Sequence, residues 1–553
     1  MSDSLKKPAI FLTLLYSFAW GPMLFMRGAY WDGWVFFSQF TNKDYAWVYF
    51  VFAPPRNYFH YYTFRFLDLF PDPTLAARCI VFVSWLLSGL LLLRILRRFL
   101  SWDTRTATLC VAYYLLFPVF IVRFEFIHVY YSAITFFFTL AAYLFLDSAP
   151  RSWIWTILRE ISAVALFTLA FLFNSFVFFF FGFLGVHLYL FSQKYPGLSL
   201  YEVTLKWVKR FFYLLLFPFV FMGIKMVFFA PYGPSVGYNK ILLLHPSFSV
   251  LTRMIEGFWE GFWSGFLWPF AAALQFLERK YFALALILAA AIVLYIFRRY
   301  PISRDDTSAP AHTANEPFYV RFWQHHPAVS MIVGGLFFLF LGLFPYVVVG
   351  KSPHIYGYGF GLRHSLLMPL GSALMLFGLV SLIVREQMQF AAHVALLSLS
   401  IAFLWFNFFL LDTDWYKQQA IIAKLPEIVR EIPPPATFVF MDGTTGYNWL
   451  NRMGSRQDFT GYLQLVSGKR DYYGVNAYDY AHNPQPEELA VTSTIHLRIV
   501  SERNWGEPKV TEWLYLKYIE LRFGEERLRE EASRILQIAL INEAPVPETK
   551  TLE

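Results

Sequence analysis

Charge is what this sequence has least of. Asp, Glu, Lys and Arg make up 15% of its 553 residues, against roughly 25% in a soluble domain. With 57% hydrophobic residues and 64 Phe, it carries more apolar surface than a water-soluble fold can enclose. That excludes an ordinary soluble protein and leaves a lipid bilayer as the solvent for most of the chain. Cysteine is scarce as well. Cys79 and Cys110 fall near opposite membrane faces in the topology below, so no disulfide is expected between them. No P-loop, H-E-x-x-H, G-x-S-x-G or paired C-x-x-C is present. Gly443 and Gly446 do not make a nucleotide fingerprint. Internal repeats and low-complexity tracts are also missing.

The charge that is present is unevenly placed. Residues 412–553 hold 21 acidic and 16 basic side chains, whereas 1–411 hold 17 acidic and 30 basic. The basic excess therefore sits among the apolar runs, where it orients membrane helices, and it does not point to nucleic acid.

Apolar runs near the 20 residues needed for a span occur at 8–26, 75–98, 106–122, 128–146, 160–173, 176–192, 210–230, 281–297, 328–346, 364–384 and 389–411. They predict an α-helical polytopic membrane protein with about eleven transmembrane helices. Asn174-Ser175 divides one long stretch into two helices. The aromatic, amphipathic segment 255–275 reads as a re-entrant or interfacial helix. Lys6 and Lys7 before the first run, with no small-residue cleavage site, suit a retained signal anchor.

With the N-terminus inside, every inner connection is basic: Arg94, Arg97, Arg98 and Arg105; Arg151 and Arg159; Lys194, Lys206, Lys209 and Arg210; Arg298, Arg299, Arg304 and Arg321; and Arg385. An odd number of spans then puts the C-terminus outside. The expected organisation is a transmembrane domain over 1–411 and a soluble extracytoplasmic α/β domain over 412–553. In the latter, Trp415–Ile432 reads as a helix ended by Pro433-Pro434-Pro435. Thr437–Met441, Thr494–Val500 and Trp513–Ile519 read as strands, and Glu525–Leu540 reads as a packed helix. The bacterial cytoplasmic membrane, with this domain in the periplasm, is the expected location.

Three outer segments carry candidate chemistry. Asp32 lies in Ala29-Tyr30-Trp31-Asp32-Gly33-Trp34. A carboxylate walled by Trp and Tyr is partly desolvated, which raises its pKa and suits a general base; an ordinary loop carboxylate beside an aromatic belt is the plainer alternative. Arg123-Phe124-Glu125-Phe126-Ile127-His128 follows the third run. Ionisable groups at this depth are costly, and Glu125 and His128, three apart, would share a helix face. They are candidates for an acceptor hydroxyl or a divalent metal ion, with an Arg123–Glu125 ion pair as the structural alternative. The third segment is His354–His364. Its glycines allow close backbone approach, Arg363 and His364 sit where a membrane-borne phosphate would lie, and Lys351 adds charge. An interfacial anchor of Arg and Tyr is the alternative. Lys225 and Asn174 are apolar-run polar residues that helix–helix hydrogen bonding would explain.

In their order and spacing these pieces resemble the GT-C superfamily of membrane glycosyltransferases, which includes bacterial aminoarabinose transferases and protein O-mannosyltransferases. After Asp32 comes Pro54-Pro55-Arg56-Asn57-Tyr58-Phe59-His60-Tyr61-Tyr62, similar to the family's PLYY segment. Leu75-Ala76-Ala77-Arg78 resembles its ALRLP segment, and Leu93–Phe99 its basic inner turn. Phe117-Pro118 with Arg123–Tyr131 resembles its second-loop motif, and Leu362–Leu370 its late RYLLP signature through Arg363 and Pro369. The chain departs from the pattern where the family often pairs two acids in the first loop. Here Gly33 follows Asp32, and Asp44 is the nearest other acid. His128 takes roughly the place of an Arg.

The resemblance implies transfer of a sugar, with inversion, from a polyprenyl-phosphate donor to an extracytoplasmic glycan, lipid or protein. Asp32 would be the base. Arg363, His364 and Lys351 would hold the donor phosphate. Glu125, His128 and Asp44 would shape the acceptor side, and Trp31, Arg56, Tyr356 and Tyr358 would line the substrate. A lipid-linked-sugar polymerase or ligase, a transporter or flippase, and an inactive scaffold remain the alternatives.

Overall fold

The computed structural model describes residues 3–30, 32–119, 121–125, 128–147, 152–195, 197–232, 247–302, 326–351, 360–444, 454–501 and 509–543. Asp32 is described by its place in the backbone alone. Trp31, Tyr356 and Tyr358 lie outside the described residues.

The elements begin with α1 (Asp3–Trp20), α2 (Asp32–Thr41), α3 (Tyr45–Phe52), α4 (Tyr58–Leu67), α5 (Pro73–Arg98) and α6 (Thr104–Leu116). They continue with α7 (Val129–Leu146), α8 (Trp153–Phe171), α9 (Asn174–Ser192), α10 (Leu200–Phe228), α11 (Phe248–Phe262), α12 (Trp268–Phe276) and α13 (Lys280–Arg299). Then come α14 (Pro327–Val347), α15 (Met368–Ile383) and the 44-residue α16 (Glu386–Val429). The C-terminal run is β1 (Ala436–Asp442), α17 (Arg456–Ser467), β2 (Tyr472–Asn476), α18 (Ala477–His482), α19 (Pro486–Leu489), β3 (Ser493–Ser501), α20 (Val510–Phe523), α21 (Glu525–Ile535) and β4 (Ile538–Glu543).

Among the described residues, nine helical segments are long and apolar enough to cross a membrane. This is a multi-pass membrane protein. All eleven predicted runs are helical, but two are short. α6 stops at Leu116, where Phe117 turns extended ahead of Pro118, as a residue before proline does. α15 has 16 residues. The divided stretch is two helices, α8 and α9, as Asn174-Ser175 foretells. The segment 255–275 lies in α11 and α12, joined through a π-turn over Trp263–Leu267.

The chain separates into two compact units. The first comprises Met1–Leu24, Arg78–Phe124 and His128–Phe406 and is helical. Its helices approach closely where side chains are small. On α14 and α15, a Cβ at Gly371 would stand 2.7 Å from the Gly335 carbonyl oxygen, a contact only glycine permits. Phe167 packs edge-on to Phe180, at 4.9 Å, and to Phe138, at 5.3 Å, which is where part of the Phe excess goes. Lys225 Nζ donates to Asn174 Oδ1 at 2.7 Å and to the Leu172 carbonyl at 3.0 Å, tying α10 to the start of α9. Both thiols are free; Cys79 is exposed and Cys110 is buried.

The second unit comprises Phe25–Ala77, Glu125–Ile127 and Asn407–Glu553. A cut at 411/412 would fall inside α16, and this unit takes in the first loop as well as the tail. Its sheet runs β2-β1-β3-β4. β1 is parallel to β2 and β3, and β4 is antiparallel to β3. Central β1 buries Ala436 through Phe440 without alternation, as a strand covered on both faces does. The first loop is helical over α2, α3 and α4, and α2 packs on α17. There Gly461 is a socket, since a Cβ would meet Trp34 at 2.7 Å.

Two expectations for the tail are corrected. Trp513–Ile519 is helical, within α20. Its residues have strand-forming character, but Leu516, Ile519 and Glu520 are buried at helical spacing, and packing overrides local preference. The helix expected over Glu525–Leu540 ends at Ile535, Gln537 has φ 49°, and the chain returns as β4.

Candidate functional site

In the helical unit, the second and third candidate segments meet. The 3-10 turn Ile121–Phe124 packs against the 3-10 turn Phe360–Ser365. Ser365 Oγ donates to the Val119 carbonyl at 3.0 Å. Arg363 and His364 leave this second turn, with Arg363 Nε 3.4 Å from His364 Nε2. The His364 ring lies 4.9 Å from that of Tyr346, at the end of α14. Lys351 follows a tight turn in which Gly350 has φ 71° and the Lys351 N–H donates to the Tyr346 carbonyl at 2.9 Å. Arg363 acts electrostatically on Tyr130, Tyr346 and Lys351. The three residues expected to bind phosphate are thus gathered beside tyrosines.

Burial first, and the Arg363 charge second, bring the Lys351 ammonium down to about 8. Two cations in mutual repulsion, partly removed from water, form a place where an anion is stabilised. Arg supplies a forked donor set and Lys a point charge.

Directly after this turn, Leu366, Leu367 and Pro369 line a cavity of about 570 Å³. Its other walls include Thr135 and Phe138 of α7, Phe176, Phe179 and Phe183 of α9, and Leu96 of α5. It follows α9 from Phe176 to Ser192, about 24 Å at 1.5 Å per residue. The cavity is apolar, and Leu366 in its wall is two residues on from His364 in the chain.

Arg123 and His128 are also in this unit and fully buried. The Arg123 guanidinium lies 4.3 Å from the Trp20 ring and 3.9 Å from the Trp85 ring, a cation held between aromatic faces. The Trp85 ring in turn stacks on Tyr114 at 4.7 Å. His128 is the residue before α7, and its ring lies 5.3 Å from Tyr131. Glu125 precedes the helix, so the shared helix face expected for Glu125 and His128 does not form.

In the second unit, Glu125 meets the first loop. A Cβ at Gly33 would stand 1.9 Å from Glu125 Oε1, so this buried carboxylate lies against the first turn of α2, one residue after Asp32. Helix N-termini favour carboxylates. Gly33, which breaks the expected acid pair, is what admits Glu125. Asp44 is placed elsewhere: it pairs with Arg470 beyond the far end of α2, about 15 Å away along the helix. Arg56 has φ 59°, and its Nη1 donates to the Tyr58 hydroxyl at 2.8 Å. Among the described residues, no three His, Cys, Asp or Glu side chains converge as a metal site would require.

Sequence reasoning missed a buried polar network on α16. Asp412, Thr413, Asp414, Lys417, Gln418 and Gln419 are all buried. Trp34 Nε1 donates to Gln418 Oε1 at 2.7 Å, and Gln418 Nε2 to Asp414 Oδ2 at 2.7 Å. Lys417 Nζ is 2.6 Å from Asp442 Oδ2. Burial alone would raise the Asp442 carboxyl; the Lys417 ammonium and Thr444 overcome it and hold the group below the usual carboxylate range. Lys517 Nζ lies 3.0 Å from Asp412 and 2.8 Å from Glu520. Burial foremost, with the Asp412 charge adding, pushes the Glu520 carboxyl up. The signal in the sequence was a run of six polar residues in eight just past an apolar helix. Compared with protein-family models, curated proteins and solved structures, the chain finds no match.

Proposed function

We propose that this protein is a glycosyltransferase of the GT-C type, moving a sugar from a polyprenyl-phosphate donor to an extracytoplasmic acceptor with inversion. The observation that carries the reading is the gathering of Lys351, Arg363 and His364, two residues before Leu366 enters the wall of a long apolar cavity. Such a site takes an isoprenoid tail and its phosphate together. Asp32 is the base that takes the acceptor hydroxyl proton as that oxygen attacks the anomeric carbon, and the lipid phosphate leaves with the bonding electrons. Glu125, against Gly33, supplies the second acid that the first loop lacks, and His128 belongs to the acceptor side. On this reading the protein lies in a bacterial cytoplasmic membrane, N-terminus inside, with its outer loops and tail in the periplasm.

The length of the groove favours a second reading, a lipid-linked-sugar flippase. One experiment separates the two. Purified protein in proteoliposomes is given a polyprenyl-phosphate sugar and an envelope acceptor extract, and new glycosidic product is measured. Asp32→Asn at matched expression and folding should lose about 10²–10⁴-fold in rate, the range of general-base catalysis. Full activity in Asp32→Asn moves the base elsewhere. Donor translocation without product, in the wild type, establishes the flippase reading instead.

A further inference from the structure

Helix α20, in the tail expected to be soluble, has two apolar faces. One is internal: Leu516, Ile519 and Glu520 are buried. The other is open. Leu514, Tyr518 and Leu521 are 54%, 57% and 52% exposed, and their spacing of four and three puts them on one stripe, with Tyr515 beside it. An apolar stripe of this size in water is costly and marks a contact surface.

Several contacts within the second unit join this helix to the span ends that the unit contains. Lys517 Nζ donates to the carbonyl of Phe25 at 2.7 Å, and Phe25 is the last residue of the span Leu5–Phe25. Trp513 meets the spanning helix α16: its ring lies 5.5 Å from Phe409, and its Nε1 is 3.3 Å from Asp412 Oδ2. Just past the C-terminal end of α20, Glu525 is within electrostatic reach of Arg27 and Asp72. Asp72 immediately precedes the span Pro73–Arg98. This short helix therefore touches residues of two spans, and the residue that opens the next helix reaches the start of a third.

We infer that α20 is an interfacial helix whose Leu514–Tyr518–Leu521 stripe is inserted into the headgroup–acyl boundary of the bilayer. Continuity with the span boundaries argues for lipid over any other occupant. The side chains agree. Tyrosine, with an apolar body and a polar tip, concentrates at this depth. Lys509 and Arg522, at the two ends of α20, are the cations that phospholipid phosphates favour in interfacial helices. The inference stands whether or not the chain transfers sugar.

The test uses the full chain in liposomes of phosphatidylcholine and phosphatidylglycerol, in a Cys79→Ser, Cys110→Ala background. A nitroxide is attached at Tyr518→Cys or at Glu526→Cys, both exposed positions. Collision with molecular oxygen and with a water-soluble nickel chelate reports depth. The expected result is a several-fold lower nickel collision rate at 518 than at 526, with higher oxygen collision at 518. Equal nickel accessibility at the two positions overturns the inference. A short dipolar distance between 518 labels on separate molecules assigns the stripe to a second copy and overturns it too.

Discussion

Between Leu397 and Leu411, helix α16 buries mostly Leu, Ile, Ala and Phe; between Asp412 and Gln419 it buries Asp, Thr, Lys and Gln. In the first interval the two serines turn inward to their own helix. Ser398 Oγ donates to Val394 O at 2.6 Å and Ser400 Oγ to Leu396 O at 2.9 Å. In the second, Gln418 and Thr413 also bond within the helix, but Trp34, Asp442, Lys517, Glu520 and Arg529 reach in from distant parts of the second unit. Apolar packing is non-directional and accepts many neighbours. A buried hydrogen-bonding group accepts few, because the alternative is an unsatisfied charge or dipole. One interval needs only an apolar solvent, while the other specifies which elements dock.

The largest effect should come from breaking that specification. Lys417→Met leaves Asp442 buried without its ammonium and should cost about 3–5 kcal/mol, read by chemical denaturation of the purified chain. The native Asp442 carboxyl is held below its usual value of 3.8. Its contribution is therefore complete above that pH and lost as pH falls through the lower folded value. In Lys417→Met this acid-side loss should vanish. A variant as stable as wild type would mean the polar interval is no more demanding than the apolar one.

In the helical unit the buried Arg123 is held by rings, so its loss should cost less. Arg123→Met forfeits the contacts with Trp20 and Trp85, about 2 kcal/mol for a desolvated cation–aromatic pair, seen as a lower thermal midpoint in detergent. Smaller again is a titration. Lys351 sits at about 8, so its ammonium is present below that pH and lost above it. The KM for a polyprenyl-phosphate donor should rise about tenfold as pH passes upward through this value, the worth of one charged hydrogen bond. Lys351→Arg should flatten the profile, and a pH-independent wild type would remove Lys351 from the phosphate site. The smallest effect is expected at Asp44, whose partner Arg470 is half exposed. Asp44→Asn should change stability by less than about 1 kcal/mol; a large loss there would show that the pair does more than cover a surface.

The membrane spans were legible because a bilayer demands one simple thing, a long apolar run. β1 was legible because three prolines end one element before Thr437–Met441 begins another. α20 was not, because both of its faces are apolar and a two-sided pattern has no clear period; Trp513, Tyr515 and Ile519 then read as strand. At the candidate site, Arg363, His364 and Lys351 were legible as cations at a span boundary. The approach of Glu125 to Gly33 was not, since a missing Cβ announces room but not the visitor. The network over 412–419 was hidden for a similar reason: polar residues after a span look like an exit into water until their partners are seen.

The bond from Trp34 to Gln418 joins residues 384 apart, and that separation has a consequence in time. A ribosome adding about 5–20 residues per second delivers Trp34 to the membrane about 20–75 seconds before Gln418 exists. During that interval α2, with its large aromatic side chains, has no Gly461 socket to enter. The first loop of this protein spends its early life as an unfinished half of a core, which closes only once Gln418 and Gly461 have been made. A truncation between the last span and α17 would leave that half waiting indefinitely, so quality control should read the completion of α17 through the state of the first loop.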